Sequence, residues 1–94
     1  MAQRKIKPPK GFKPTSKFDQ QQISMFVESM VDRVGGRDAW NFVGPAIREM
    51  AVEAQAYKTM AAQTFQGATF TAQDMHQVRW DIGVFTGVID PEDY

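Results

Sequence analysis

Apolar residues recur at intervals of three and four positions in three stretches of this 94-residue chain, and that spacing restricts its fold more than any other feature. Such spacing places apolar side chains on one face of an α-helix. The first 17 residues lie outside the three stretches and are rich in Pro and Lys. The sequence therefore predicts an all-α fold of three helices in residues 18–94, preceded by an extended basic arm in residues 1–17.

The first helix is predicted to run from about Phe18 to Val34. Ser16 is its candidate N-cap, and Gly35-Gly36 supplies the glycine that commonly ends a helix. The charged residues lie outside the apolar face or at its edge. That face consists of Ile23, Phe26, Val27, Met30, Val31 and Val34.

The second helix is predicted as one long, kinked element from Ala39 to about Phe65. Gly44-Pro45 would ordinarily break a helix, but the apolar spacing continues through it without a change of phase. Two separate helices that keep the same phase are the alternative. The alanines of the apolar stripe are small enough to let another helix approach closely. The stripe consists of Trp40, Val43, Ile47, Met50, Ala54, Tyr57 and Ala61.

The third helix is predicted to begin after Thr71, an N-cap residue with Asp74 three positions further on. Phe70 and Met75 occupy the positions of a hydrophobic staple. Apolar residues also alternate with other residues across positions 78–84, which leaves a β-strand as the alternative. We favour the helix because cap, staple and spacing agree with one another.

A second apolar group lies on the third helix, opposite its regularly spaced face, and is bordered by glycines. Glycine inside a helix costs ~1 kcal/mol relative to alanine, so a close backbone contact is expected to offset that cost. With two other helices available, one of the two faces is left for a partner, or else this helix is the centre of the bundle. The candidate partner-binding residues are Trp80, Gly83, Val84, Gly87 and Val88.

The zero net charge of the chain conceals a basic arm and an acidic body. Residues 1–17 contain six Lys and Arg and no acid, whereas residues 18–94 contain five basic residues and all eleven acids. The arm could neutralise phosphates of a nucleic acid, with an aromatic ring for stacking, or lie on an acidic protein surface such as a neighbouring copy. A solubilising role is the simplest alternative. The candidate arm contacts are Arg4, Lys5, Lys7, Lys10, Phe12, Lys13 and Lys17.

Catalysis is poorly supported by the sequence, and we expect the chain not to be an enzyme. His76 is the single histidine, no cysteine is available as a nucleophile, and no phosphate-binding loop is recognisable. No cofactor and no metal ligand set is predicted. The longest uncharged stretch, residues 59–73, is shorter than the ~20 apolar residues of a membrane-spanning helix, so no membrane association is expected.

Three segments together carry a resemblance: the arm RKIKPPKGFKP, the helix AVEAQAYKTMAAQTFQG and the C-terminal stretch RWDIGVFTGVIDPEDY. A short chain of this style resembles the small accessory proteins encoded among the structural genes of tailed bacteriophages. The resemblance implies an assembly role as a head, connector or packaging component, in the virion or the host cytoplasm, with protein partners or further copies of itself. The alternative is a small nucleic-acid-binding or host-regulatory protein that acts through the arm or the apolar patch.

Overall fold

The regular structure of the computed structural model, which describes residues 6–94, is entirely helical in that range. The predicted all-α class is therefore confirmed, and the strand alternative for residues 78–84 is wrong because that segment lies inside a helix. The elements in chain order are α1 (Gln20–Val34), α2 (Arg37–Phe42), α3 (Pro45–Phe65), α4 (Ala72–Thr86) and a short 3-10 helix (Pro91–Asp93).

Helix α1 begins two residues later than predicted because Asp19, and not Ser16, is its N-cap. The Asp19 carboxylate accepts a hydrogen bond from the backbone N–H of Gln22 at 2.8 Å. The side-chain oxygen of Gln22 in turn accepts one from the backbone N–H of Asp19 at 3.0 Å. This reciprocal pair satisfies two of the donors that the start of a helix leaves free. The helix ends at Val34, as predicted.

The predicted kinked helix is in fact two helices, α2 and α3. Gly44 adopts an extended conformation and caps α3, and Pro45 is the first helical residue, where its missing N–H is not needed. The Arg48 guanidinium donates two hydrogen bonds, at 2.9 and 3.2 Å, to the carbonyl oxygen of Trp40, and it lies 5.3 Å from the centre of the Trp40 ring. These contacts hold the corner between the two helices.

The break between α2 and α3 changes which face of α3 is buried. Trp40 is buried in α2, but the α3 residues of the predicted stripe do not follow it into the core: Ile47, Met50 and Tyr57 are exposed. The stripe that the sequence predicts as one apolar face is therefore divided between the core and the surface. The inner face of α3 consists instead of Val52, Gln55, Ala56, Thr59 and Met60.

Helix α4 lies at the centre of the fold, with α1 and α3 packed against it. Five consecutive residues, 81–85, are buried, which requires cover on more than one side of the helix. The structure thus favours the alternative in which the third helix is central. The buried apolar core consists of Phe18, Ile23, Val27, Met30, Val31, Trp40, Val52, Ala56, Met60, Val78, Ile82 and Phe85.

Asp81 is the one charged side chain that is buried among residues 6–94, and it joins α4 to the N-terminal segment. Its Oδ1 accepts hydrogen bonds from the backbone N–H and the hydroxyl of Thr15, at 2.8 and 2.9 Å. Its Oδ2 accepts one from the backbone N–H of Ser16 at 2.9 Å. A buried carboxylate is tolerated only when it is paired or hydrogen-bonded, so these three bonds compensate for its burial.

A tight turn brings the arm back onto the second side of α4. The N–H of Phe12 donates to the carbonyl of Pro9 at 3.1 Å, and Gly11 between them has φ +79°, which a residue without a Cβ adopts most easily. The Phe12 ring then meets the edge of Phe85, with ring centres 5.4 Å apart. Residues 6–16 therefore pack on the helices and are not simply extended.

We expect Asp81→Asn to destabilise the chain by about 2 kcal/mol, because the amide replaces one accepting oxygen with a donor that faces the N–H of either Thr15 or Ser16. Urea unfolding followed by circular dichroism measures this change. Asp32→Asn, at an exposed position of α1, is the matched control and should change the free energy of unfolding by less than about 0.5 kcal/mol. Equal effects of the two substitutions would contradict the role assigned to Asp81.

Candidate functional site

The five predicted patch residues of the third helix are largely covered by the chain itself. Gly83 and Val84 are buried, Trp80 and Val88 are half-buried, and Gly87 is exposed. The ring of Tyr94 lies edge-on to the Trp80 indole, with ring centres 5.4 Å apart. The C-terminal tail thus occupies part of the surface that the sequence had offered to a partner.

Gly87 and Gly83 have different roles, which the sequence pattern does not distinguish. Gly87 ends α4 with φ +81°, so it lies at the helix end and not within the helix as predicted. The chain then turns back, and the N–H of Ile89 donates to the carbonyl of Gly83 at 3.0 Å. A Cβ on Gly83 would lie 2.6 Å from Cγ1 of Ile89. The close contact predicted at this glycine is therefore made within the chain.

The arm and the patch, predicted separately, meet in one open cleft of about 470 Å³. Its lining includes Lys10 and Lys13 from the arm, Trp80 from α4, and Asp90 and Glu92 from the C-terminal tail. Phe12 is half-buried and faces α4. The four arm lysines that the structure describes are all exposed, namely Lys7, Lys10, Lys13 and Lys17. Arg4 and Lys5 lie outside the described residues.

The residues with catalytic or ligating chemistry are dispersed. His76 is exposed on the first turn of α4, and Asp74 accepts a hydrogen bond from the N–H of Thr71 at 2.9 Å as part of the helix cap. Asp81 is fully engaged with the arm. Within residues 6–94, no three His, Asp or Glu side chains are grouped closely enough to hold a metal ion.

Of the seven large apolar side chains that are exposed in residues 6–94, four lie on α3. Six residues, spaced by three or four positions, form what we call the outer face of α3: Ile47, Met50, Ala54, Tyr57, Ala61 and Phe65. Met50 is 67% exposed, Tyr57 64% and Phe65 94%. At 1.5 Å per residue the face is about 27 Å long. The spacing of these residues was recognisable in the sequence, but their position outside the core was not.

Two adjacent hollows line the outer face. One, of about 580 Å³, lies between α3 and α4 and is bordered by Met50, Ala54, Tyr57 and Met75. The other, of about 300 Å³, is bordered by Tyr57, Ala61 and Phe65 together with Phe70. Tyr57 borders both hollows, so they lie next to each other along α3, and alanines are among the lining residues of each.

A single ion pair marks the edge of the larger hollow next to α4. Nε of Arg79 lies 3.5 Å from Oε1 of Glu53, and both side chains are more than one third exposed. An exposed pair of this kind contributes little to stability. An apolar face with a charged rim is nevertheless the usual composition of a protein-binding surface.

No protein-family model, curated protein or solved structure matches this chain. Within residues 6–94, no helix combines the length and apolar content needed to cross a membrane. Function is therefore inferred from the surfaces described above.

We expect Gly83→Ala to lower the free energy of unfolding by about 1 kcal/mol, since overpacking costs about 1–3 kcal/mol and the gain of ~1 kcal/mol in helix propensity offsets only part of it. Chemical denaturation measures the change. An Ile89→Ala background removes the two closest atoms and leaves only the Cβ of residue 89, at 3.3 Å, so the same substitution should cost clearly less there than in the unchanged chain. A stabilising Gly83→Ala in the otherwise unchanged chain would show that Ile89 does not pack there.

Proposed function

We propose that this chain is a non-catalytic component of a larger protein assembly, of the kind that forms the head, connector or packaging apparatus of a phage particle, and that it docks through the outer face of α3. The single observation that carries the proposal is the exposure of that face. Its large side chains are more than half exposed along five turns of one helix. The virion or the host cytoplasm is the corresponding location.

The size of the outer face supports a docking role. Tyr57 and Phe65, at 64% and 94% exposure, together offer roughly 300 Å² if each ring has about 200 Å² to bury. With Ile47 and Met50 added, the face reaches the several hundred Å² that mark binding sites on soluble monomers. Isolated exposed apolar residues need no such explanation, but five at regular spacing on one helix do.

A non-catalytic role agrees with the arrangement of the polar groups. Acid–base chemistry needs a titratable group held in a pocket, and the exposed His76 is not held in one. The buried Asp81 has its two oxygens occupied by arm donors and cannot face a substrate. The resemblance of the chain to small phage accessory proteins points to the same class of function.

We expect Met50→Glu to deplete the chain from its assembly by about tenfold or more, because a charge in the middle of a docked apolar face costs at least about 1.4 kcal/mol of binding. Gradient sedimentation of particles from the cells that encode the chain, with mass spectrometry of the fractions, measures the depletion. Met25→Glu is the matched control, since Met25 is 64% exposed on α1. Equal retention of both variants would overturn docking through α3.

A second candidate, nucleic-acid binding through the arm, is favoured by one observation. Within residues 6–94 the arm lysines are exposed and none lies in an ion pair, so their charges are available to phosphates. Phe12 packs on Phe85 and is not free to stack on bases. The arm therefore offers charge without an aromatic platform, which gives binding that is weak and independent of sequence.

We expect no micromolar binding of duplex DNA at about 0.15 M salt, where exposed charges are screened over ~8 Å. Titration of labelled DNA with the full chain and with the triple variant K7S/K10S/K13S measures this. Lys58→Ser removes an exposed cation from α3 and serves as the control. Micromolar binding that the triple variant loses and K58S keeps would place the second candidate ahead of the first.

A further inference from the structure

The outer face of α3 is complementary to itself. We propose that its occupant is a second copy of this chain, with the two α3 helices antiparallel about a twofold axis level with residues 55 and 56. This inference rests on the proposed docking role of that face and names its partner.

The order of large and small residues supports the antiparallel arrangement. In that register Met50 lies opposite Ala61 of the second copy, and Ala54 lies opposite Tyr57. Further out, Phe65 lies opposite Ala46, which is also exposed. Each of these large side chains thus meets an alanine, the alternation that lets facing helices interdigitate.

A parallel pair lacks this complementarity. There Met50 would meet Met50 and Tyr57 would meet Tyr57, while Ala54 would meet Ala54. The Met50 pair and the Tyr57 pair would clash, and the Ala54 pair would leave a gap. Both overpacking and cavities lower the stability of an interface. The same spacing of residues therefore discriminates between the two orientations.

In this register, large side chains of the second copy lie opposite the two hollows of the outer face. Tyr57 of the second copy, opposite Ala54, enters the hollow of about 580 Å³ between Met50 and Tyr57. Met50 of the second copy, opposite Ala61, enters the hollow of about 300 Å³ between Tyr57 and Phe65. Because the contact is isologous, each copy fills both hollows of the other.

Charge does not oppose the pair. The chain has zero net charge, so two copies approach without overall repulsion. The twofold axis brings the α4 edges together, and each copy places Glu53 and its partner Arg79 at that edge. The combined edge holds two acids and two bases. On the opposite edge, Lys58 is exposed and long enough to extend into solvent.

The first test is the mass of the purified full-length chain, 10.6 kDa as a monomer. Sedimentation equilibrium from about 1 µM to about 1 mM should show a reversible monomer–dimer equilibrium, as expected for an interface smaller than the standard size. Met50→Glu should weaken dimerisation by about tenfold or more, and Met25→Glu should leave it unchanged. A chain that stays monomeric throughout, or a dimer that M25E disrupts and M50E does not, would overturn the proposal.

The second test fixes the register by disulfide formation, because the chain has no cysteine of its own. An equimolar mixture of M50C and A61C, one of them isotopically labelled, should form a mixed disulfide. Either variant alone should form little, because in the antiparallel pair its two copies are about 16 Å apart along the helices, and a disulfide needs Cα atoms within about 7 Å. Efficient linking of M50C to itself would overturn the antiparallel register.

The two proposals can fail separately. If the purified chain is monomeric by mass but the M50E variant is still depleted from particles, the proposed dimer is overturned and the proposed docking through α3 stands. If the dimer and the mixed disulfide form but both Met variants remain in the particle, the dimer stands and the assembly role of this face is overturned.

Discussion

The three hydrogen bonds that Asp81 accepts from Thr15 and Ser16 connect the parts of this fold. Helix α4 carries a carboxylate with no solvent exposure in the middle of the protein, and its partners come from a segment 65 residues earlier in the chain. If the segment covered α4 without making these hydrogen bonds, the charge would be buried and unpaired, at a cost of several kcal/mol. The docking of the arm and the burial of α4 therefore depend on each other.

The central position of α4 explains why α3 keeps an open face. The arm and the C-terminal tail are used to cover the second side of α4, where Phe12 packs on Phe85 and Ile89 packs on Gly83. Nothing in residues 6–94 remains to cover the outer face of α3. A chain of this length can bury only a limited part of its surface, so α3, which carries apolar residues on two sides, keeps one of those sides exposed.

The arm has an inner side that packs on the helices and an outer side that carries positive charge. Its apolar and hydrogen-bonding groups, among them Phe12 and Thr15, face the helices, while the described lysines face solvent. The positive charge thus sits on a firmly placed segment beside Asp90 and Glu92, in the cleft that also contains Trp80.

The sequence by itself determined the helical class, the end of α1 before Gly35 and the start of α4 after its N-cap Thr71, because caps and glycine stops depend on neighbouring residues alone. Only the tertiary structure decided that Pro45 begins a helix, that Tyr57 faces solvent and that Asp81 is buried. Periodicity shows that residues share a face but cannot show what covers it. Which apolar face is buried depends on which elements pack against α4. That packing brings together residues far apart in the chain, so local sequence patterns do not reveal it.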